Sequence, residues 1–474
     1  MMGILTEFWF YDVALLIVFT IGTFWFLFTR KKNLQREGII YLYRTQVGVK
    51  AIDKIARKFK KILHPLSYVV ILTGYVLMAG IIYLLSQSVF QYFKYGQEIN
   101  ALIGTKAPPV ALFIPYFPKI FGYQNLFPDF WFIYFIIVIG VIAIVHEGAH
   151  GIYARLYGVK IKSTGFGFLG PILAFFVEQD EENMKKTKTL PQMTIISAGV
   201  FANIITGFIL LGLLILFFHL AYMPNGVNVV DYSSAIVPIS YLGNMVLTNE
   251  TIQLNNVSLT KISIGDENYF VSQDFLDLSQ EDLEKYKDVK LYLDMPAIRN
   301  NIHGTIVELN GNEINTVQEL SEELSKLNVG DKTKIKVNFN DETKTYEIDL
   351  GSANVDGEEK AVIGVYIGNK PTLQVFSSIE SLYKERGVNY DAKKFASVTN
   401  FFYYLFLWLI FANFVIALVN MIPVGIFDGG HMFYLTLFAL TKSEKIAKKG
   451  LKISTIIILL SIAAMFGYWI FLIL

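Results

Sequence analysis

The chain has no cysteine among its 474 residues. Disulfide frameworks and thiolate metal sites are therefore excluded, and any bound metal must take His, Asp or Glu. Charge is scarce and evenly split, 41 basic residues against 40 acidic. That balance excludes the strongly basic surface a nucleic-acid partner would need. Histidine is rare at six residues, so any cluster of it is informative. Apolar residues are plentiful, at 53% of the chain with a mean hydropathy of +0.45. This is too apolar for an ordinary soluble protein and indicates several membrane spans.

Six segments are long and apolar enough to span, a crossing needing roughly 20 residues. They are Phe8–Phe28, Pro65–Leu85, Phe130–Val145, Met193–Leu220, Phe401–Met421 and Ile453–Leu474. The first lacks a basic segment before it and reads as a retained helix rather than a cleaved signal. Ala101–Phe121 is also apolar, but Pro108, Pro109, Pro115 and Pro118 argue against a straight helix there. Gly165–Val177, "GFGFLGPILAFFV", is too short to span and is expected to form a re-entrant hairpin.

Orientation follows from Lys and Arg. The strongly basic stretch "RKKNLQREGIIYLYRTQVGVKAIDKIARKFKKILH" is expected in the cytoplasm against anionic lipid. Counting spans forward, the loop Gly425–Lys452, with Lys442, Lys445, Lys448, Lys449 and Lys452, falls on the same side. The termini and a polar insertion of about Met223–Asn400 fall outside. The expected organisation is a membrane part over 1–222, an extracytoplasmic region over 223–398 and a second membrane part over 399–474. Within the insertion, a strand is followed by a turn at Asn310-Gly311, a helix over Val317–Leu327, a turn at Val329–Asp331 and two alternating strands. Met295–Gly368 resembles a PDZ domain, without an evident carboxylate-binding loop. "NETIQLNNVSLT" in Gly226–Lys290 reads as the remains of a second, related fold.

Two of the six histidines fall in "AIVHEGAHGIYARLYGV". Positions i and i+4 share a helix face, so His146 and His150 can address one ion. Glu147 beside the first is placed as the general base, which is the HExxH pattern of zinc metalloproteases. Glu147 and two histidines at membrane depth would be costly unless bound or paired. A third ligand is required, the fourth position being left open. "NFVIALVNMIPVGIFDGGH" offers Asp428 and His431 at the same side of the membrane as the first cluster. Asp428 is preferred because Gly429 and Gly430 let the backbone bend and approach closely, and because Pro423 ends the helix before it. His64, His219 and His303 stand alone and read as interfacial or surface residues.

These pieces together resemble the site-2 protease family of zinc intramembrane proteases. "HEGAH" corresponds to the family's two zinc ligands and catalytic glutamate, and "NMIPVGIFDGGH" to its third ligand, here Asp428, with Asn420 and Pro423 shaping the loop. "SAGVFANIITGF" resembles the family helix whose asparagine, here Asn203, faces the active site; Val200 replaces the usual proline. The glycine-rich hairpin and the PDZ-like insertion also fit. The resemblance implies a polytopic α-helical membrane protein of about six spans with a re-entrant β-hairpin and an inserted α+β domain. It implies one Zn2+ and peptide-bond hydrolysis in single-span membrane substrates, with Asn203 contacting substrate backbone or oxyanion. The PDZ-like domain would take a peptide or protein ligand or exclude bulky ectodomains. A zinc-binding membrane protein without proteolysis would not need Glu147, and a PDZ-based adaptor would leave the polar clusters in lipid unexplained.

Overall fold

The computed structural model describes all residues except 1, 39, 104–107, 111, 125, 170–171, 255–256, 280–282, 284–286, 340–341, 356, 370–372 and 474. The chain divides into two compact units, Phe218–Thr399 and the remainder. Among the described residues, six helices are long and apolar enough to cross a membrane: Phe8–Thr29, Lys60–Gln97, Phe132–Leu156, Thr189–Ala221, Ala396–Asn420 and Glu444–Leu472.

Helix α1 (Met2–Thr29) is followed by strands β1 (Leu34–Glu37) and β2 (Ile40–Thr45). Part of the basic stretch thus forms a hairpin, "IYLYRT" being rich in the β-branched and aromatic residues that favour strands. Helix α2 (Val49–Lys58) starts after Gly48, whose φ is +89°, a conformation glycine adopts without penalty. Helix α3 (Lys60–Ile103) carries Pro65 in its first turns and a break at Tyr95. Of the proline-rich stretch, 104–107 and 111 lie outside the described residues; beyond them is the single turn α4 (Phe117–Ile120).

Helix α5 (Phe132–Leu156) carries the histidines. Its start is held by Asp12 of α1. That carboxylate accepts from the Phe132 and Ile133 N–H groups at 2.8 and 2.9 Å and from the Tyr116 hydroxyl at 2.6 Å. These two N–H groups have no partner within the helix, and a carboxylate suits the positive end of the helix dipole. Asp12 is 3% exposed; its hydrogen bonds offset the cost of an acid at that depth.

Strands β3 (Ile161–Leu169) and β4 (Ile172–Gln179) form the hairpin expected near Gly165–Val177, whose residues 170–171 lie outside the described set. They join β1 and β2 in an antiparallel sheet of order β1-β2-β3-β4, so β4 is an edge strand. Helix α6 (Glu181–Lys186) is followed by helix α7 (Thr189–Ala221). Every residue from Thr194 to Val200 is buried. Ile195 and Ala198 pack with Val70, Tyr153 and Ala154. Ile196 and Val200 pack with Met78, Ala417, Met421 and Met432. Lipid is as apolar as leucine, so such packing relies on close approach of small residues. A Cβ on Gly74 of α3 would lie 2.5 Å from Ser197 Oγ.

The unit Phe218–Thr399 contains two larger sheets. Its strands are β5 (Tyr222–Tyr232), β6 (Ser234–Pro238), β7 (Val246–Leu254), β8 (Val257–Ile264), β9 (Glu267–Ser272) and, after helix α8 (Gln273–Leu276), β10 (Asp288–Leu293). Short helix α9 (Pro296–Arg299) leads to β11 (Gly304–Leu309), β12 (Asn312–Glu313) and helix α10 (Val317–Leu324). The turn Asn310-Gly311 has φ of 50° and 90°, the positive pair that a tight hairpin needs. Thr316 Oγ1 caps α10 by accepting from Glu319 N–H. There follow β13 (Lys332–Phe339), β14 (Glu342–Asp349), β15 (Gly351–Val355), β16 (Glu358–Val362), β17 (Val365–Ile367), helix α11 (Gln374–Glu380) and β18 (Val388–Ala392).

One sheet has the order β14-β13-β11-β5-β17, with β12 paired to β11 and β18 to β5; the other has the order β6-β10-β9-β8-β7. In the region read as the remains of a second fold, the described residues from Ser234 onward form, with β10, a five-stranded antiparallel sheet with its own core of Ile262, Val271 and Leu291. The first sheet packs around Ile302, Ile306, Leu309, Ile335 and Leu320 of α10. The chain ends in α12 (Ala396–Asn420), α13 (Asp428–Thr441) and α14 (Glu444–Ile473).

Candidate active site

His146 and His150 project from one face of α5 and are both buried. Their Nε2 atoms are 3.1 Å apart. Asp428 is the first residue of α13, and its Oδ2 lies 3.2 Å from His146 Nε2 and 3.4 Å from His150 Nε2. Its place at a helix N-terminus suits a carboxylate. His431, the rival third ligand, is one turn farther along α13 and exposed.

The loop that delivers Asp428 is shaped as much by packing as by bending. α12 ends at Asn420, and buried Pro423 accepts from Ser454 Oγ through its carbonyl. A Cβ on Gly429 would lie 2.3 Å from the Met421 carbonyl, and one on Gly430 would lie 2.2 Å from the Val424 oxygen. The two glycines thus let the first turn of α13 rest directly on the backbone of the preceding loop.

The donor set fits a metal ion. Zinc binds imidazole and carboxylate ligands at about 2.0–2.1 Å, and tetrahedral donors at that distance are about 3.3 Å apart. The three atoms here are separated by 3.1, 3.2 and 3.4 Å. Space is kept clear beside them by Gly199 of α7. A Cβ there would lie 2.5 Å from His150 Nε2 and 2.6 Å from His146 Nε2. Glu147 completes a group with the two histidines in which one ligand atom from each lies within 4.8 Å of the others. Glu147 Oε2 accepts the Val177 N–H of edge strand β4 at 3.1 Å.

The remaining ring nitrogens both face groups of α7. His150 Nδ1 donates to the Ile195 carbonyl at 2.7 Å. Asn203 is fully buried, with its amide Nδ2 3.2 Å from His146 Nδ1. Its contact is therefore with the back of a histidine ring. His64 packs edge-on against Tyr157 and His303 against Phe339; neither joins the cluster.

The sequence pattern of peptidase family M50 matches residues 134–464, well over half of the chain. The chain belongs to peptidase family M50. This is the site-2 protease family, so the resemblance carried by "HEGAH" and "NMIPVGIFDGGH" holds at the level of family. An uncharacterized protein of Methanocaldococcus jannaschii is 30% identical over 182 residues, covering 36% of this M50 chain and 42% of the relative. The chain spans less than half the length of that curated relative. The PDZ domain of an SdrC-like protein from Listeria monocytogenes is 29% identical over a match covering 15% of this chain and 75% of that one, at a TM-score of 0.14.

Several participants have little or no mark in the sequence. The Ile195 carbonyl and the Val177 N–H are backbone groups without a side-chain signature. Gly199 does carry a signal, because it stands four residues before Asn203 and thus on the same helix face. Asp12, a lone acid in an apolar stretch, is the other legible mark.

Proposed function

We propose that this M50 chain is a zinc-dependent intramembrane endopeptidase that hydrolyses peptide bonds within or near the transmembrane segments of single-span substrates. The observation that carries the reading is the convergence of Asp428 Oδ2 with His146 Nε2 and His150 Nε2, which stand with Glu147 on a helix apolar enough to span. These three atoms would hold one Zn2+. When bound, the ion supplies Lewis acidity, activating water at neutral pH and polarising the scissile carbonyl.

Glu147 takes the proton from the attacking water and returns it to the leaving amine. The Val177 N–H orients that carboxylate. Asn420, Pro423 and Gly429 keep Asp428 in place. Amides inside a substrate helix are already bonded, so the segment must unwind before attack. Edge strand β4 offers further main-chain groups for the extended strand that results. Substrates with helix-breaking residues near the cut are therefore favoured. The site faces the cytoplasmic side, and the PDZ-like region lies outside, either capturing a peptide or restricting access to trimmed substrates.

The test compares wild type and Glu147→Gln for zinc content and for cleavage of single-span model proteins. Zinc in both, with cleavage only by wild type, is the expected result. Cleavage by Glu147→Gln at the wild-type rate refutes the mechanism.

A further inference from the structure

Helix α7 presents three positions spaced four apart to the two histidines: the Ile195 carbonyl, Gly199 and Asn203. We infer that Asn203 is a positioning residue whose amide oxygen accepts the Nδ1–H of His146, so that α7 orients both ligand histidines from behind. The inference rests on the reading that both Nε2 atoms hold a metal.

The argument is one of donors and acceptors. A neutral imidazole that offers the Nε2 lone pair carries its hydrogen on Nδ1. His150 satisfies that hydrogen with the Ile195 carbonyl at 2.7 Å. His146 offers Nε2 to the same point, so its Nδ1–H needs an acceptor too. The atom facing it is Asn203 Nδ2, 3.2 Å away and itself a donor. The acceptor of the same amide, Oδ1, is buried without a partner. Two donors meet while an acceptor beside them is stranded. Turning the amide end for end leaves its outline unchanged and places Oδ1 on the Nδ1–H. In the metal-loaded protein the amide takes that orientation.

Complete burial also takes Asn203 away from any substrate. Partners of this kind fix the tautomer and ring direction of a ligand histidine, and losing one typically lowers metal affinity by about 10–100-fold. Helix α7 would then couple the packing around Val200 to the geometry of the site.

The experiment measures zinc affinity by chelator competition on the purified full-length protein, together with the visible spectrum of the Co2+ form. Wild type, Asn203→Leu and Asn203→Asp are compared, with thermal unfolding of each metal-free protein as a folding control. Leucine has the same number of side-chain heavy atoms as asparagine, with somewhat more bulk that the unfolding control reports, and offers no acceptor. Aspartate keeps an acceptor and abolishes the amide donor.

The expected result is a loss of about 10–100-fold in Asn203→Leu, with altered cobalt bands, and affinity within a few-fold of wild type in Asn203→Asp. Wild-type affinity in Asn203→Leu overturns the inference. So does an Asn203→Asp protein that folds but binds poorly, since the amide donor would then be the working group; this variant decides the matter even if Asn203→Leu fails to fold. A wild type that binds no zinc defeats the metal-site reading itself, and the inference with it, before any variant is compared.

Discussion

Replacing Gly199 by alanine adds one methyl group at the most crowded point of the site. The new Cβ would lie 2.5 Å from His150 Nε2, and 2.6 Å from both Cε1 and Nε2 of His146. Comfortable contact needs about 3.5 Å, so the rings must retreat by roughly 1 Å. Metal–ligand distances tolerate only about 0.2 Å. Helix α7 cannot yield instead, because Thr194–Val200 are buried all round, Val200 against Met78 and Met421. Overpacking of this kind costs about 1–3 kcal/mol. If that strain falls on the metal-bound state, zinc affinity drops by about 5- to 150-fold. Chelator competition measures the change, and unfolding of the metal-free protein shows whether the fold survives. Gly199→Ala with wild-type affinity and stability would refute the geometry on which the donor set and its clearance rest.

Val177→Pro removes the N–H that Glu147 accepts, on an edge strand where proline is tolerated. Cleavage should fall by about tenfold or more with zinc content unchanged; equal loss of zinc would point to a damaged site instead. Asp12→Leu strands the Phe132 and Ile133 N–H groups and should destabilise the membrane unit by about 2–3 kcal/mol in denaturant titration, leaving zinc stoichiometry intact. In the other unit, burial pushes the Asp294 carboxyl up, but hydrogen bonds from Arg299 and Lys261 outweigh it and hold it below its usual range. The stabilisation is therefore present above about pH 4 and is lost as pH falls through the lowered value. Amide exchange around Leu291 should show about 1–2 kcal/mol of acid-sensitive stability that Asp294→Asn lacks. Because the chain lacks cysteine, single cysteines in Arg30–His64 and Met223–Asn400 test sidedness directly. They should label from opposite sides of sealed vesicles, and same-side labelling overturns the orientation.

Local pattern alone makes several features legible. Runs of apolar residues mark the six long helices, and i, i+4 spacing puts His146 and His150 on one face. Asn310-Gly311 reads as a tight turn, in keeping with the positive φ both residues adopt. Periodicity carries helix α10 three residues too far, since Ser325–Leu327 continue the pattern but leave the helix. The hairpin β1–β2 is harder to see, because the charges around it dominate the stretch and hide the short run of strand-forming residues in "IYLYRT".

What periodicity within a segment determines is which residues share a face of that segment. It is silent on which faces meet. His146 and Asp428 are 282 positions apart; the glycines after Asp428 already favour it over His431 in the sequence, but only the stacking of α13 on the Met421–Val424 backbone brings its carboxylate to the two histidines. The same holds for Asn203, which the motif places near the site but which packing turns to the back of His146. It holds for Asp12, whose partners at the start of α5 lie 120 positions away. Such contacts arise from close packing between helices in a medium where lipid competes equally for apolar surface, so tertiary fit rather than hydrophobicity decided them.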